Sequence, residues 1–274
     1  MINSEDLAHE RRLYLPQDEN GRILNPTGIS HVSEEDKAAL GVITGIYAGF
    51  LSGNLNSLYV RGTTVRESNY RPLDIDTYAV TNTPLSKDDR AELNKRLLVA
   101  SNALDTRIDD STTDLTSLSM ASRIGCYRCF EMKTQSLCIY GNDLSIGLPD
   151  FYISRELAHM LLDDIPFGTR KTIERLSSVN SYVEATNIIS KQMKRAIRGA
   201  HLLILDRIGH FSRDVETCAL DLMSEYPDQT VLFETFLKGA VGLSIDTQDA
   251  SRLLQLFNAW YLGEYNVFLE KGYL

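Results

Sequence analysis

The chain has 274 residues, 43% of them hydrophobic and 24% charged, with a formal net charge of −9. That size and composition suit one large or two small globular domains whose core needs no disulfides, and the acidic balance argues against wrapping a long nucleic acid. No apolar run approaches the roughly eighteen residues of a membrane-spanning helix, and the charged N-terminus lacks the apolar stretch of a signal peptide, so a cytoplasmic protein without a membrane partner is expected.

Residues 1–30 carry Pro16, Gly21, Pro26 and Gly28 without a sustained period and are expected to form an irregular arm. Ser33 followed by Glu34, Glu35 and Asp36 is a helix start, a hydroxyl cap with acids at the positive end of the dipole. The helix is expected to run to about Leu51, where Gly53 and Asn54 stop it. Leu58, Tyr59 and Val60 then form a β-prone run that ends at Gly62-Thr63-Thr64, and Ile75 to Val80 form a second. Residues i and i+2 of a strand share a face, so Asp74 and Asp76 project side by side while Ile75 turns to the core. Two adjacent carboxylates repel each other. A divalent cation removes the conflict, and hard oxygen ligands suit Mg²⁺ carrying a nucleoside triphosphate.

Thr83 to Ser86 form a turn into a second helix, expected from about Lys87 to Leu104, with Pro84 near its start and Asp88-Asp89 in its first turn. Small and β-branched residues follow from Asp110 to Ser119, and the alternation Asp114-Leu115-Thr116 reads as a half-buried strand. Residues 123–133 are helical in pattern, with Cys126 and Cys129 as small core residues, because no second close ligand pair for zinc is visible. A short apolar run from Gln135 to Tyr140 precedes a boundary near 150. Beyond it the pattern is nearly all helix, with apolar series such as Ile197, Ala200, Leu203 and Ile204. One helix is expected from roughly Thr172 or Asn180 to Ile208, and Ser212 to cap the next, Arg213 to Tyr226. Lys191, Lys194, Arg195 and Arg198 crowd one helix, and Arg207, His210 and Arg213 follow past Gly209. Such a stripe repels itself unless acids or an anionic partner compensate it. Trp260, Tyr261, Tyr265 and Phe268 read as core of the last helix.

The order of these features resembles the signature of the polymerase-β-like nucleotidyltransferase superfamily: an apolar residue, Gly, then Gly or Ser, a gap, and Asp-apolar-Asp or Glu. Here it reads Arg61-Gly62-Thr63, ten intervening residues, and Asp74-Ile75-Asp76. Thr63 keeps the hydroxyl of the usual Ser, whereas Thr77 stands where an apolar residue is commoner. Arg66 falls where many members, the aminoglycoside-modifying ones included, carry an Arg. The run from Tyr140 to Leu144, with Pro149 after it, is similar to the exit of the catalytic domain in the aminoglycoside enzymes.

The resemblance implies an α+β fold. A catalytic nucleotidyltransferase domain (a small mixed sheet flanked by helices) would occupy 31–150 and an all-α helical bundle 151–274. It also implies Mg²⁺ held by Asp74, Asp76 and a third carboxylate from a third strand. Asp114 is the candidate for that third position, with Asp109 and Asp110 placed behind it in the preceding turn. ATP or another nucleoside triphosphate would be the co-substrate, held by Gly62, Thr63 and Arg66 and by Lys194, Arg198 and Arg213 of the helical domain.

The acceptor is less constrained. A chain this acidic attracts a polycation, and its two-domain size resembles that of aminoglycoside adenylyltransferases, so a small cationic acceptor is expected. The superfamily also contains enzymes that adenylylate proteins and toxin-like members that modify tRNA, the latter expected to show a more basic surface. A third reading is a nucleotide-binding protein without catalysis, against which the presence of Asp74, Asp76 and Asp114 argues.

Overall fold

The computed structural model describes residues 13–66, 74–162, 164–243 and 245–270; residues 1–12 of the expected arm lie outside them. The chain divides into two compact units, Pro16–Phe151 and a second that joins Tyr152–Leu274 to the segment ending at Leu15. The architecture is α+β, a small mixed sheet flanked by helices in the first unit and an all-helical second unit. The arm is therefore not one piece, since Leu13 to Leu15 belong to the helical unit and Pro16 onward to the sheet unit.

In the sheet unit, α1 (Glu34–Phe50) leads into β1 (Leu55–Arg61), a single 3-10 turn over Gly62–Val65, and β2 (Asp74–Thr81). Then come α2 (Lys87–Leu104), β3 (Arg107–Asp114), α3 (Arg123–Gln135) and β4 (Ser136–Gly141). The strand order is β3-β2-β1-β4, with β2 and β3 parallel and the other pairs antiparallel. A parallel pair needs a crossover, and α2 supplies it. The expected cap at Ser33 is present, its Oγ accepting from Asp36 N at 3.0 Å, and Ser86 caps α2 in the same way, its Oγ accepting from Asp89 N at 3.0 Å.

One sheet face buries Leu58, Val60, Ile75 and Ala79 beneath Leu40, Ile43 and Tyr47 of α1 and Leu93 and Leu97 of α2. Each of these leucine, isoleucine and valine side chains, fully buried, contributes about 1.5–3 kcal/mol. The other face carries Tyr59, Tyr78 and Val80 against Met132 of α3. Cys126 and Cys129 are both buried in α3, and burial pushes both thiols up. The arm braces this unit: Gly28 N donates to Val65 O at 2.8 Å, and Asn25 Nδ2 to Ser136 O at 2.8 Å.

The helical unit comprises α4 (Arg155–Leu161), α5 (Ile165–Leu176), α6 (Tyr182–Leu202), α7 (Leu205–Ile208), α8 (Val215–Glu225), α9 (Thr230–Ala240) and α10 (Thr247–Glu270). Ile189, Met193, Ala196, Ile197 and Ala200 form the buried stripe of α6, which packs on α5, α8 and α9. Of the two starts expected for the helix running to Ile208, Thr172 and Asn180, the structure has the later one, with α6 beginning at Tyr182, and the helix does not run unbroken to Ile208. Thr172 falls in the separate α5, and Leu203 and Ile204 part α6 from α7 in a second break. The apolar period runs on through that second break, so spacing alone did not mark it. The cap of α8 is Asp214, accepting from Thr217 N at 2.8 Å, and not Ser212, whose hydroxyl accepts from Asp214 N and donates to Leu13 O. Around Trp260, the rings of Tyr226, Phe233 and Phe257 pack in edge or tilted contacts. No helix among the described residues is long and apolar enough to cross a membrane.

A buried polar cluster ties the arm to this unit. His201 Nε2 lies 3.0 Å from Asp221 Oδ2, and Tyr14 Oη donates to Asp221 Oδ1 at 2.8 Å. Burial pushes the imidazole pKa down, but Cys218 and Asp221 together outweigh it and hold it at about 9. With the folded value raised above 6.5, the stabilisation is complete below 6.5 and is lost as pH rises through about 9. Urea melts across that interval are expected to show falling stability in the wild type and a flat profile in His201→Gln. A slope that persists in the variant assigns the effect to another group.

Candidate active site

Three strands bring the site together at the start of β2. Arg61 of β1 is in register with Asp76, while Arg107 and Asp109 of β3 are in register with Asp74 and Asp76. Residues in register present their side chains to the same face. Arg61, Asp74, Asp76, Arg107 and Asp109 therefore share the face that carries Tyr59, Tyr78 and α3. The turn after β1 closes against them. Gly62 has φ +84°, and a Cβ there would lie 3.0 Å from Asp76 Oδ2. Only glycine adopts that backbone while passing so near the carboxylate. Thr64 Oγ1 donates to Asp74 O at 3.3 Å, Thr63 is half-buried on the same turn, and Arg66 closes it.

The charges are counterbalanced from both sides. Arg61 Nη1 is paired with Glu131 of α3, whose other oxygen accepts from Tyr127 Oη at 3.0 Å. Arg107 Nη2 donates to both Asp74 and Asp109, the latter at 2.8 Å. Burial first, then Asp74 and Asp109, hold the Asp76 carboxyl above the usual carboxylate range against the opposing pull of Arg61 and Arg107.

The β3 carboxylate in register with Asp76 is that of Asp109, not that of the expected Asp114. The expectation that Asp109 lies in a turn fails because α2 ends sharply at Asp105, in the left-handed conformation at φ 47°, and β3 starts at Arg107. Asp114 is in register with Thr81 at the far end of the strand, about 16 Å further along at roughly 3.3 Å per residue and on the opposite face. Its carboxylate caps the next 3-10 turn, accepting from Thr116 N at 3.0 Å and Ser117 Oγ at 2.8 Å. Asp110 also faces away, toward α1, where Tyr47 Oη donates to it. The signal available in the sequence was the charged-apolar-charged run Arg107-Ile108-Asp109, which repeats the pattern of Asp74-Ile75-Asp76.

Lys194 and Arg198 lie on α6 of the helical unit, where Arg198 Nε donates to Arg213 O at 2.8 Å. That bond ties the Arg198 side chain to the main chain at Arg213, the residue before the α8 cap Asp214.

Asp74, Asp76 and Asp109 stand at neighbouring register positions, and carboxylate oxygens are donors of the type that suits a divalent cation such as Mg²⁺. Among the described residues no three His, Cys, Asp or Glu side chains converge on a metal position as they stand, and Asp74 and Asp109 both accept from Arg107.

The fold is that of the polymerase-β-like nucleotidyltransferases, a mixed four-stranded sheet with its acidic pair at the start of β2, followed by a helical unit. Spectinomycin adenyltransferase AAD(9) from Enterococcus faecialis, solved with ATP and spectinomycin, superposes with a TM-score of 0.53 at 12% identity, over 82% of this chain and 99% of that one. A complex of a tri-AMPylated Shewanella oneidensis HEPN toxin with MNT antitoxin matches 41% of this chain and 77% of its own at 21% identity, with a TM-score of 0.28, too partial a likeness to carry weight. No family model and no curated protein matches the sequence.

Proposed function

We propose that the protein is a nucleotidyltransferase that moves AMP from ATP to a hydroxyl group of a small cationic acceptor of the aminoglycoside kind. The observation that carries this reading is the meeting of the Gly62 turn with Asp74, Asp76 and Asp109 at adjacent register positions. The similarity to an adenyltransferase solved with ATP and spectinomycin supports ATP and a small-molecule acceptor. The net charge of −9 favours a cationic one.

In this reading the N–H groups of the Gly62–Val65 turn and the Thr63 hydroxyl bind phosphate oxygens, and Arg66 adds a charge-assisted bond. Asp74, Asp76 and Asp109 would hold Mg²⁺, whose charge when bound offsets that developing on the α-phosphate. Asp109 is the exposed member of the three, placed to accept the proton of the acceptor hydroxyl. The acceptor oxygen forms its bond to the α-phosphorus as the bond to the α,β-bridging oxygen breaks. Pyrophosphate leaves with that electron pair.

The test is pyrophosphate release from ATP, GTP, CTP and UTP with Mg²⁺, against panels of aminoglycosides with spectinomycin and of bulk tRNA. Release from ATP in the presence of a cationic drug is the expected result. Release only with tRNA would replace the acceptor class, and nucleotide binding without release under any condition would point to a binding protein.

A further inference from the structure

Each acid of the pair has an arginine directly beside it on a neighbouring strand: Arg61 in register with Asp76, and Arg107 with Asp74. The two arginines are held differently. The Arg61 side chain is 27% exposed and is engaged by Glu131. The Arg107 side chain is 62% exposed, and among the described residues its hydrogen-bond partners are Asp74 and Asp109 alone. Both bonds leave the same nitrogen, Nη2, so one donor atom lies between carboxylates from two strands. An ion pair this exposed is weak and readily exchanged.

We propose that Arg107 is the resident counter-ion of the metal site: its guanidinium engages oxygens of Asp74 and Asp109 that a divalent cation needs, and metal loading displaces it. The inference rests on the reading of Asp74, Asp76 and Asp109 as metal ligands. Without metal, the guanidinium offsets the repulsion between acids on adjacent strands. With metal, the two cations exclude each other at the same oxygens, so free metal binds less tightly than the three carboxylates alone would allow.

Calorimetric titration of the full chain with Mn²⁺, without nucleotide and at low ionic strength, tests this. Arg107→Gln is expected to bind Mn²⁺ about two- to fivefold more tightly than wild type, because an exposed competing charge has been removed. Arg107→Lys, which keeps the charge but loses the fork, should fall between them. The gap should narrow in about 0.5 M salt, where exposed charges are screened. Arg107 is exposed at the first residue of β3, so both variants are expected to melt as the wild type does. Equal or weaker Mn²⁺ binding by Arg107→Gln overturns the proposal. Asp76→Asn separates the two ways of failing. Binding that needs Asp76 yet ignores Arg107 overturns only the counter-ion role. Binding indifferent to Asp76, or absent from every variant, removes the metal reading as well.

Discussion

Asp76→Asn is expected to lower pyrophosphate release by about a thousandfold while leaving the protein at least as stable as the wild type. The size of the loss follows from removing a charged ligand at the position where charge develops on the transferred phosphate. The stability follows from where Asp76 sits. Its carboxyl is harder to ionise in the folded chain than in water, chiefly through burial and then through Asp74 and Asp109, with Arg61 and Arg107 opposing. A carboxyl with a raised folded pKa costs stability once ionised, and that cost fades as pH falls through the folded value. Asn keeps the shape without the charge, so at neutral pH the melting temperature should hold or rise. Activity within tenfold of wild type would remove Asp76 from the site. A variant that loses activity and also melts lower would trace the loss to misfolding.

The second large effect is a contrast along one strand. Asp109→Asn is expected to lower the turnover rate by about a hundredfold, the loss typical of a positioned proton acceptor, with no change in melting. Asp114→Ala should leave turnover within about threefold of wild type but cost about 1 kcal/mol of stability. Asp114 caps a turn, and the bonds from Thr116 and Ser117 hold its carboxyl below the usual range. Activity and thermal melts on the two proteins decide the matter. Equal damage to turnover from both changes would mean that the alignment of β3 on β2 is not what selects the acid.

Much of this site was legible in the chain. The cap at Ser33 was readable because a hydroxyl followed by acids acts within a few residues. So was the pairing of Asp74 with Asp76, since alternation along a strand puts i and i+2 on one face. The Gly62 turn follows similar logic, and its left-handed backbone against Asp76 gives the glycine a physical reason.

Other features were settled only in three dimensions. Asp109, Asp110 and Asp114 all stand on β3, and a shift of one residue in register would exchange the face each presents. Which of them meets Asp76 depends on the pairing of strands separated by a whole helix, and the bond from Arg107 to Asp74 spans 33 positions. The break after α6 was hidden in the same way, because Leu203, Ile204 and Leu205 are all buried and continue the apolar pattern across it. The basic cluster could be counted in the sequence, but not that Arg198 turns one donor onto the Arg213 carbonyl. Local rules, which act through neighbours along the backbone, were determined by the sequence alone. The third acid and its arginine depend on contacts between distant segments, and only the packed sheet decided those.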